Sequence, residues 1–439
     1  MRKNIIIMGA AGRDFHNFNC LYKENMECRV AAFTAAQIPF IDARTYPPEL
    51  SGFLYPSGIP IHPEARLAEL IKSERITEVV FSYSDVSHDY VMHRASICTA
   101  LGADFVLLGA EQTMLKSAKP VISVCAVRTG CGKSGVTRFI AKTLMSAGIK
   151  VAVIRHPMPY GNLVKQRVQR FETLDDIKNA ECTIEEMEEY VPLIEAGISV
   201  WAGVDYKDVL FKAERDCQVI IWDGGNNDLP FIKPDLEICV ADALRPGHEI
   251  SYYPGEANLR RAHAVVINKT NTALPDDLDH VVSNISAANP GAKIVTTASI
   301  VSIEGGADIK GKKCLVIEDG PTLTHGGMTY GAGIIAARNA GAVPVDPAPY
   351  AAGCIKKTLD AFPKIKNLLP AVGYSKGQIH DLETTVNNTP CDIVLIATPV
   401  DLASILAINK PSVRVSYEIA ETTSPGLADI VIDFAKALK

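Results

Sequence analysis

Lys133 and Ser134 directly follow Gly130-Cys131-Gly132, between an apolar run at 121–124 and the helix-like Gly135-Val136-Thr137-Arg138-Phe139-Ile140-Ala141. A strand that turns through glycines into a helix N-terminus aims several backbone N–H groups, and the positive end of the helix dipole, at one point. That arrangement is a phosphate cradle. The loop Thr129, Gly130, Cys131, Gly132 and Gly135 would wrap a nucleotide, Lys133 would set a charge on its β- and γ-phosphates, and Ser134 would offer a hydroxyl to Mg²⁺. The usual spacing has glycine five residues before Gly132, where this chain has Val127. A chance Gly-x-Gly-Lys-Ser turn is the plain alternative.

Asp223 ends the apolar Val219-Ile220-Ile221-Trp222 and is followed by Gly224-Gly225-Asn226-Asn227-Asp228. An acid at a strand end before glycines has the form of a Walker B carboxylate. It would bind Mg²⁺ together with Ser134, while the glycines let the backbone approach the γ-phosphate. A helix cap is the structural alternative. Ala264-Val265-Val266-Ile267-Asn268-Lys269-Thr270-Asn271 looks like the purine-recognition pattern Asn-Lys-x-Asp, with Asn268 and Lys269 framing the base. Asn271 replaces the acid, and an amide cannot supply two carboxylate acceptors to guanine, so ATP is the expected nucleotide.

Other polar groups fall at predicted strand ends, the edge where open parallel sheets bind ligands. Arg13, His16 and Asn17 follow the Gly9-Ala10-Ala11-Gly12 turn. Asp85 and His88 come after a second strand, and for His88 a cap or surface role is preferred. Arg155 and His156 open the proline-fixed loop Pro157-Met158-Pro159-Tyr160-Gly161. Arg245 and His248 lie beyond a further strand. Glu318-Asp319 through His325 to Gly333 adds two acids, a histidine and five glycines. Arg13, His16, Arg155, His156, Arg245, His248, Glu318 and His325 are the candidate substrate groups, each weighed against a capping or scaffolding role.

The positioning elements read as alternating strands and helices. Strands are expected near 4–8, 29–33, 78–82, 104–108, 121–124, 150–154, 219–223, 236–240, 264–268, 293–298, 314–317, 393–397 and 413–417, with helices near 64–73, 91–101 and from 135. The fold class is α/β: a P-loop NTPase domain with a mainly parallel sheet, preceded by a Rossmann-like α/β domain. The boundary falls at Ser117-Ala118-Lys119-Pro120, giving domains 1–118 and 119–439, with 302–439 as an extension of the second. The acidic run Glu185-Glu186-Met187-Glu188-Glu189 reads as a solvated helix face, or as a mobile lid.

At 439 residues, 47% hydrophobic and 21% charged, the composition is that of an ordinary globular protein. A formal charge of −6 argues against an extended nucleic-acid surface. No apolar run approaches the roughly 18 residues of a membrane span, and the start lacks a signal-like stretch, so a cytoplasmic protein is expected. The eleven cysteines are scattered singly and read as small buried hydrophobes. Cys131 is the exception, since a helix N-terminus and Lys133 would lower its thiol pKa, although a tolerated small residue is the preferred account.

The P-loop resembles that of the class containing dethiobiotin synthetase, nitrogenase iron protein and MinD-like ATPases. Arg128 occupies the place of that class's signature lysine, which implies a catalytic group reaching a transferred phosphoryl oxygen beside Lys133 and Asp223. A homodimer follows only by analogy with the class. The motifs at Met8 to Asn19, Arg128 to Ser134, Arg155 to Gly161 and Glu318 to Gly327 together resemble the cyclic 2,3-diphosphoglycerate synthetase family, whose members are also catalogued as predicted GTPases. That resemblance covers essentially the full length. It implies an ATP-dependent ligase that phosphorylates a small anionic phosphorylated substrate, 2,3-diphosphoglycerate, and closes it to the cyclic pyrophosphate with release of ADP and phosphate. A substrate of about five negative charges would need many cations around it. Two other readings stay open: a nucleotide-switch or metallochaperone-like GTPase or ATPase acting on a protein partner, and ATP-dependent activation of another anionic metabolite.

Overall fold

The computed structural model describes residues 2–10, 12–36, 44–156, 161–371 and 376–438. Residues 3–107 build a six-stranded sheet in the order Thr45–Tyr46, Ile59–Pro63, Cys28–Ala35, Lys3–Met8, Glu78–Phe81, Asp104–Leu107. All neighbours are parallel except the first pair. Lys3–Met8 lies where the strand order reverses, so the turns after Met8 and Phe81 frame a crevice of the kind that usually takes a ligand.

Residues 121–421 form a second, thirteen-stranded sheet. Its first half runs Ser199–Ala202, Val151–Arg155, Val219–Asp223, Val121–Ala126, Leu236–Asp242, Ala264–Asn268, with Gln169–Phe171 antiparallel at the rim. These β-branched runs are buried on both faces, as a parallel sheet covered by helices requires. The expected strands all form, and the mixed α/β class with mainly parallel sheets holds.

The long strand Lys293–Ile303 joins two half-sheets. Its first part pairs in parallel with Ala264–Asn268, and Thr297–Ile303 pairs antiparallel with Ser412–Glu421. Ile393–Ala397 and Lys313–Glu318 then continue parallel to Ser412–Glu421, with hydrophobic clusters of their own on each face. The reversal turns the carboxyl edge of this second half back toward that of the first. Loops from both edges therefore line one cavity.

The acidic run departs from expectation. Helix Ile184–Glu195 is fixed by a capping box between Thr183 and Glu186, and Glu185, Glu186 and Glu188 are buried rather than solvated. Among the described residues, no helix is long and apolar enough to cross a membrane.

Candidate nucleotide and acceptor site

The glycine loop springs from strand Val121–Ala126 and enters helix Lys133–Ser146 through Gly130 and Gly132, at φ of 81° and 98°. Both angles favour glycine. A Cβ at Gly132 would also collide with the Asn268 side chain. Val127 stands in place of the usual glycine just past the strand end, still tied to the neighbouring strand: its N–H donates to the Val240 carbonyl at 2.9 Å.

Register places the charges. Asp223 and Arg155 stand opposite each other on adjacent parallel strands, and Asp223 is fully buried. Its carboxylate accepts from Lys133 on one oxygen and from Arg155 at 2.5 Å on the other. Burial alone would raise its pKa, but Arg155 and Lys133 hold it below the ordinary carboxylate range. Arg155 also pairs with Glu189 at 2.7 Å. The carboxylate of Asp223 and the hydroxyl of Ser134 are hard oxygen donors that fit Mg²⁺. Among the described residues no group of three or more His, Cys, Asp or Glu could hold a metal alone, so an ion here would fill its shell with phosphate oxygens and water.

A cavity of about 220 Å³ opens beside this cluster. The P-loop, Arg155 and His156 form one wall, and Glu185, Glu188 and Glu189 from the acidic helix form another. Asp319, Thr322 and His325 line it from the second half-sheet, and Thr272 and Ser299 lie at the end beside Lys269. Glu188 accepts from Thr398 at 2.5 Å, and burial, with Asp319 beside it, pushes its carboxyl well above the usual range. His156 sits between Gly12 and Gly225 and pairs with Asp228 at 3.2 Å.

Several expected ligand groups are committed elsewhere. Arg128 lines the cavity, but its guanidinium bonds Asp85 and the His325 carbonyl, each at 2.8 Å, and lies 3.6 Å from the Tyr252 ring centre. It bolts three segments together and is not a free arginine over the phosphates. Asn268 donates to the Cys131 carbonyl at 2.9 Å and accepts from Thr297 at 3.0 Å, while Lys269 donates to the Gly130 carbonyl at 2.5 Å and pairs with Asp242. Their polar ends brace the P-loop instead of reading a base. Asn271 is spent on the backbone of Ser299. Cys131 is buried, and burial pushes its thiol up to about 11, against the reactive-thiol alternative and in keeping with the preferred account of a small residue in the loop.

Four substrate candidates do not reach the cavity wall. Arg13 and His16 face the crevice of the six-stranded sheet, which is filled by a loop of the second sheet. Arg13 donates to the Leu229 carbonyl at 3.3 Å, and the His16 ring stacks on Phe231 at 4.3 Å while bonding the Thr113 carbonyl. Arg245 ties Asp242 to the Gly326 carbonyl, and the His248 ring packs tilted against Tyr252, centroids 4.9 Å apart. Glu318 does line the cavity, but its carboxylate accepts from Gly331, Gly333 and Ile334 at a helix start; burial pushes it up to about 7 while those N–H groups pull it down. Lys133, Ser134, Arg155, His156 and His325 all line the cavity, with Arg155 buried and matched to Asp223 and Glu189. Pro157 to Tyr160, and Ala11 in the first turn, lie outside the described residues.

Asn227 and Glu185, Glu188 and Glu189 of helix Ile184–Glu195 also line the cavity, where the sequence alone points to a glycine switch and a solvated face. Glu185, Glu188 and Glu189 recur at helical spacing behind a Thr-x-x-Glu capping box, which marks one face of a helix. A run of like charge hides that signal, because it also describes a solvated surface.

No protein-family model matches the chain. Among solved structures the chain is similar to LpxK of Aquifex aeolicus solved with ATP, at 15% identity and a TM-score of 0.43 over 84% of this chain and 99% of that one. It is also similar to the MinD cell division protein of Aquifex aeolicus, at 16% identity and a TM-score of 0.23 over 40% and 82%. Among curated proteins, arginine synthetase ArcE of Thermococcus kodakarensis is 54% identical over 436 residues, 99% of this chain and 97% of that protein. With that identity over almost the whole of both chains, this protein belongs to the family of arginine synthetase ArcE.

Proposed function

We propose that the protein is an ATP-dependent ligase that forms arginine. The P-loop presents the γ-phosphate of ATP, with Mg²⁺ held by Ser134 and Asp223. The acceptor is a ureido amino acid, citrulline, which differs from arginine by one oxygen in place of one nitrogen. Its ureido oxygen takes the γ-phosphoryl group, releasing ADP, and ammonia then displaces phosphate at the same carbon to leave the guanidinium. ADP, phosphate and arginine are the products.

The observation that carries this reading is the acid lining beside Lys133. Glu185, Glu189 and Asp319 line the same cavity as Lys133, the place where an acceptor would meet the γ-phosphate. A guanidinium has five N–H donors and no acceptor, and a ureido group is rich in N–H donors, so carboxylates suit both. The relative's name points the same way. Purified protein with ATP, Mg²⁺, ammonium and citrulline should yield arginine and ADP in equal amounts by chromatography. Lys133→Ala should abolish both, and a wild type that yields no arginine refutes the reading.

A second reading keeps the phosphoryl donor and takes 2,3-diphosphoglycerate as acceptor, closing it to the cyclic pyrophosphate. It is favoured by the motif resemblance and by Arg155 and His156 on the cavity wall. It has less support, because Arg13, Arg245 and His248 lie off that wall and Arg155 and Arg128 on it are matched to acids. A cyclic pyrophosphate signal in ³¹P NMR, without arginine formation, would decide for it.

A further inference from the structure

Strand Val219–Asp223 leaves the sheet into a turn whose backbone is tied on both sides. The Asp228 N–H donates to the Gly225 carbonyl at 3.0 Å. Asn258, fully buried on helix Gly255–Arg261, donates to the Asn227 carbonyl at 2.7 Å. Asn227 holds a left-handed φ of 58°, which asparagine tolerates better than most residues bearing a Cβ. Its side chain is set on the cavity wall with only 1% of the residue exposed, and its amide nitrogen has no partner among the described residues. A buried donor left unmade is costly, so a fold that fixes one this firmly marks a place for an acceptor atom.

We propose that Asn227 orients the acceptor substrate: its amide N–H holds a neutral carbonyl-type oxygen of an amide or urea in line with the γ-phosphorus. The charged donors along this wall stand beside acids, Arg155 beside Asp223 and Glu189 and Arg128 beside Asp85, although one guanidinium nitrogen of each makes no hydrogen bond among the described residues. The Asn227 amide is the uncharged donor of the set. One neutral N–H satisfies one lone pair of a carbonyl oxygen and leaves the other free to attack, whereas a phosphate or carboxylate acceptor would need a cation. Glu189 and Glu185 line the same cavity and would accept from the N–H groups of such a substrate. In the step itself a bond forms between the acceptor oxygen and the γ-phosphorus. The bond from that phosphorus to the β–γ bridging oxygen breaks, and ADP leaves with the electron pair.

This inference rests on the arginine-forming reading only for the identity of the acceptor, and the test separates the two. With citrulline, ammonium, ATP and Mg²⁺, Asn227→Ala should lower kcat about a hundredfold, as loss of one orienting donor does, while KM for ATP stays within about twofold. Asn227→Asp, equal in size, should do the same, and circular dichroism melts check that each variant is folded. If both variants keep wild-type kcat, or if KM for ATP rises in step with the loss, the inference is overturned. If the wild type forms no arginine, the function reading fails alone, and Asn227 is then read by ADP release with urea-, amide-, carboxylate- and phosphate-bearing acceptors. Selective loss of the urea and amide responses in Asn227→Asp supports the inference. Equal loss of all, or no response to any urea or amide in the wild type, overturns it.

Discussion

Asp223 and Lys133 form an ion pair across the mouth of the P-loop, so Lys133 must leave that carboxylate before it can meet a phosphate. Asp223→Asn tests this competition without changing shape. The pair is nearly dry, with Asp223 fully buried and the Lys133 side chain 11% exposed, and a hydrogen bond between charged groups in such a setting contributes about 1.5–3 kcal/mol. Arg155 keeps Glu189 as a partner in the variant, so the local fold should survive. Removing the competitor, and with it a negative charge facing the triphosphate, should tighten ATP binding without Mg²⁺ by roughly tenfold to a hundredfold, at about 1.4 kcal/mol per factor of ten. With Mg²⁺ present the gain should vanish, because the variant has lost the carboxylate that would face the ion. Titration of a fluorescent ATP analogue, in EDTA and again in excess Mg²⁺, reads both arms. Equal or weaker Mg²⁺-free binding in Asp223→Asn would refute the competition.

Three further substitutions probe the supports of the site. Burial, helped by the neighbouring Arg13 charge, lowers the His16 pKa to about 3, so the folded state keeps it neutral while the unfolded chain takes up its proton near pH 6.5. That contribution is present above pH 6.5 and falls as pH drops toward 3, by up to about 1.4 kcal/mol per pH unit; denaturant unfolding of His16→Gln between pH 7 and 4 should show a slope shallower by that amount. Gly12→Ala would drive a methyl group into the His156 imidazole, at a cost of about 1–3 kcal/mol, and an unchanged melting temperature would show that the ring has room to move. Asn268→Ala removes the brace on the Cys131 carbonyl and should weaken ATP and GTP alike, by about tenfold for about 1.4 kcal/mol; a change in the preference between them would return Asn268 to a base-reading role.

The strands were legible because most are short apolar runs rich in β-branched residues, several of them ended by a glycine or a charged residue, and the P-loop because glycine, lysine and serine combine there in one place. The partners of each charge were not. Arg13, Arg128 and Arg245 stand at strand ends just as ligand-binding arginines do. The packing of the two sheets reveals that Leu229 and Asp85 claim the first two, and the turn after Leu236–Asp242 that Asp242 claims Arg245, three residues on. Likewise nothing local in Lys293–Ile303 announces that its second half changes partner and direction, and that reversal brings the 319–332 loop to the P-loop. Asn227 sat unmarked among the glycines of the switch, because its standing depends on an unmade hydrogen bond, a property of the whole neighbourhood rather than of any pattern.

The two jaws of the cavity share a single beam. Lys293–Ile303 carries the P-loop half on its first residues and the opposing half on its last, and the changeover at Thr296 and Thr297 is pinned to the Asn268–Thr270 turn through the Thr297 hydroxyl and carbonyl. The P-loop and the 319–332 loop are thus set against each other by the register of one strand, with helix Lys133–Ser146 lending a second tie where Arg138 donates to the Tyr417 carbonyl.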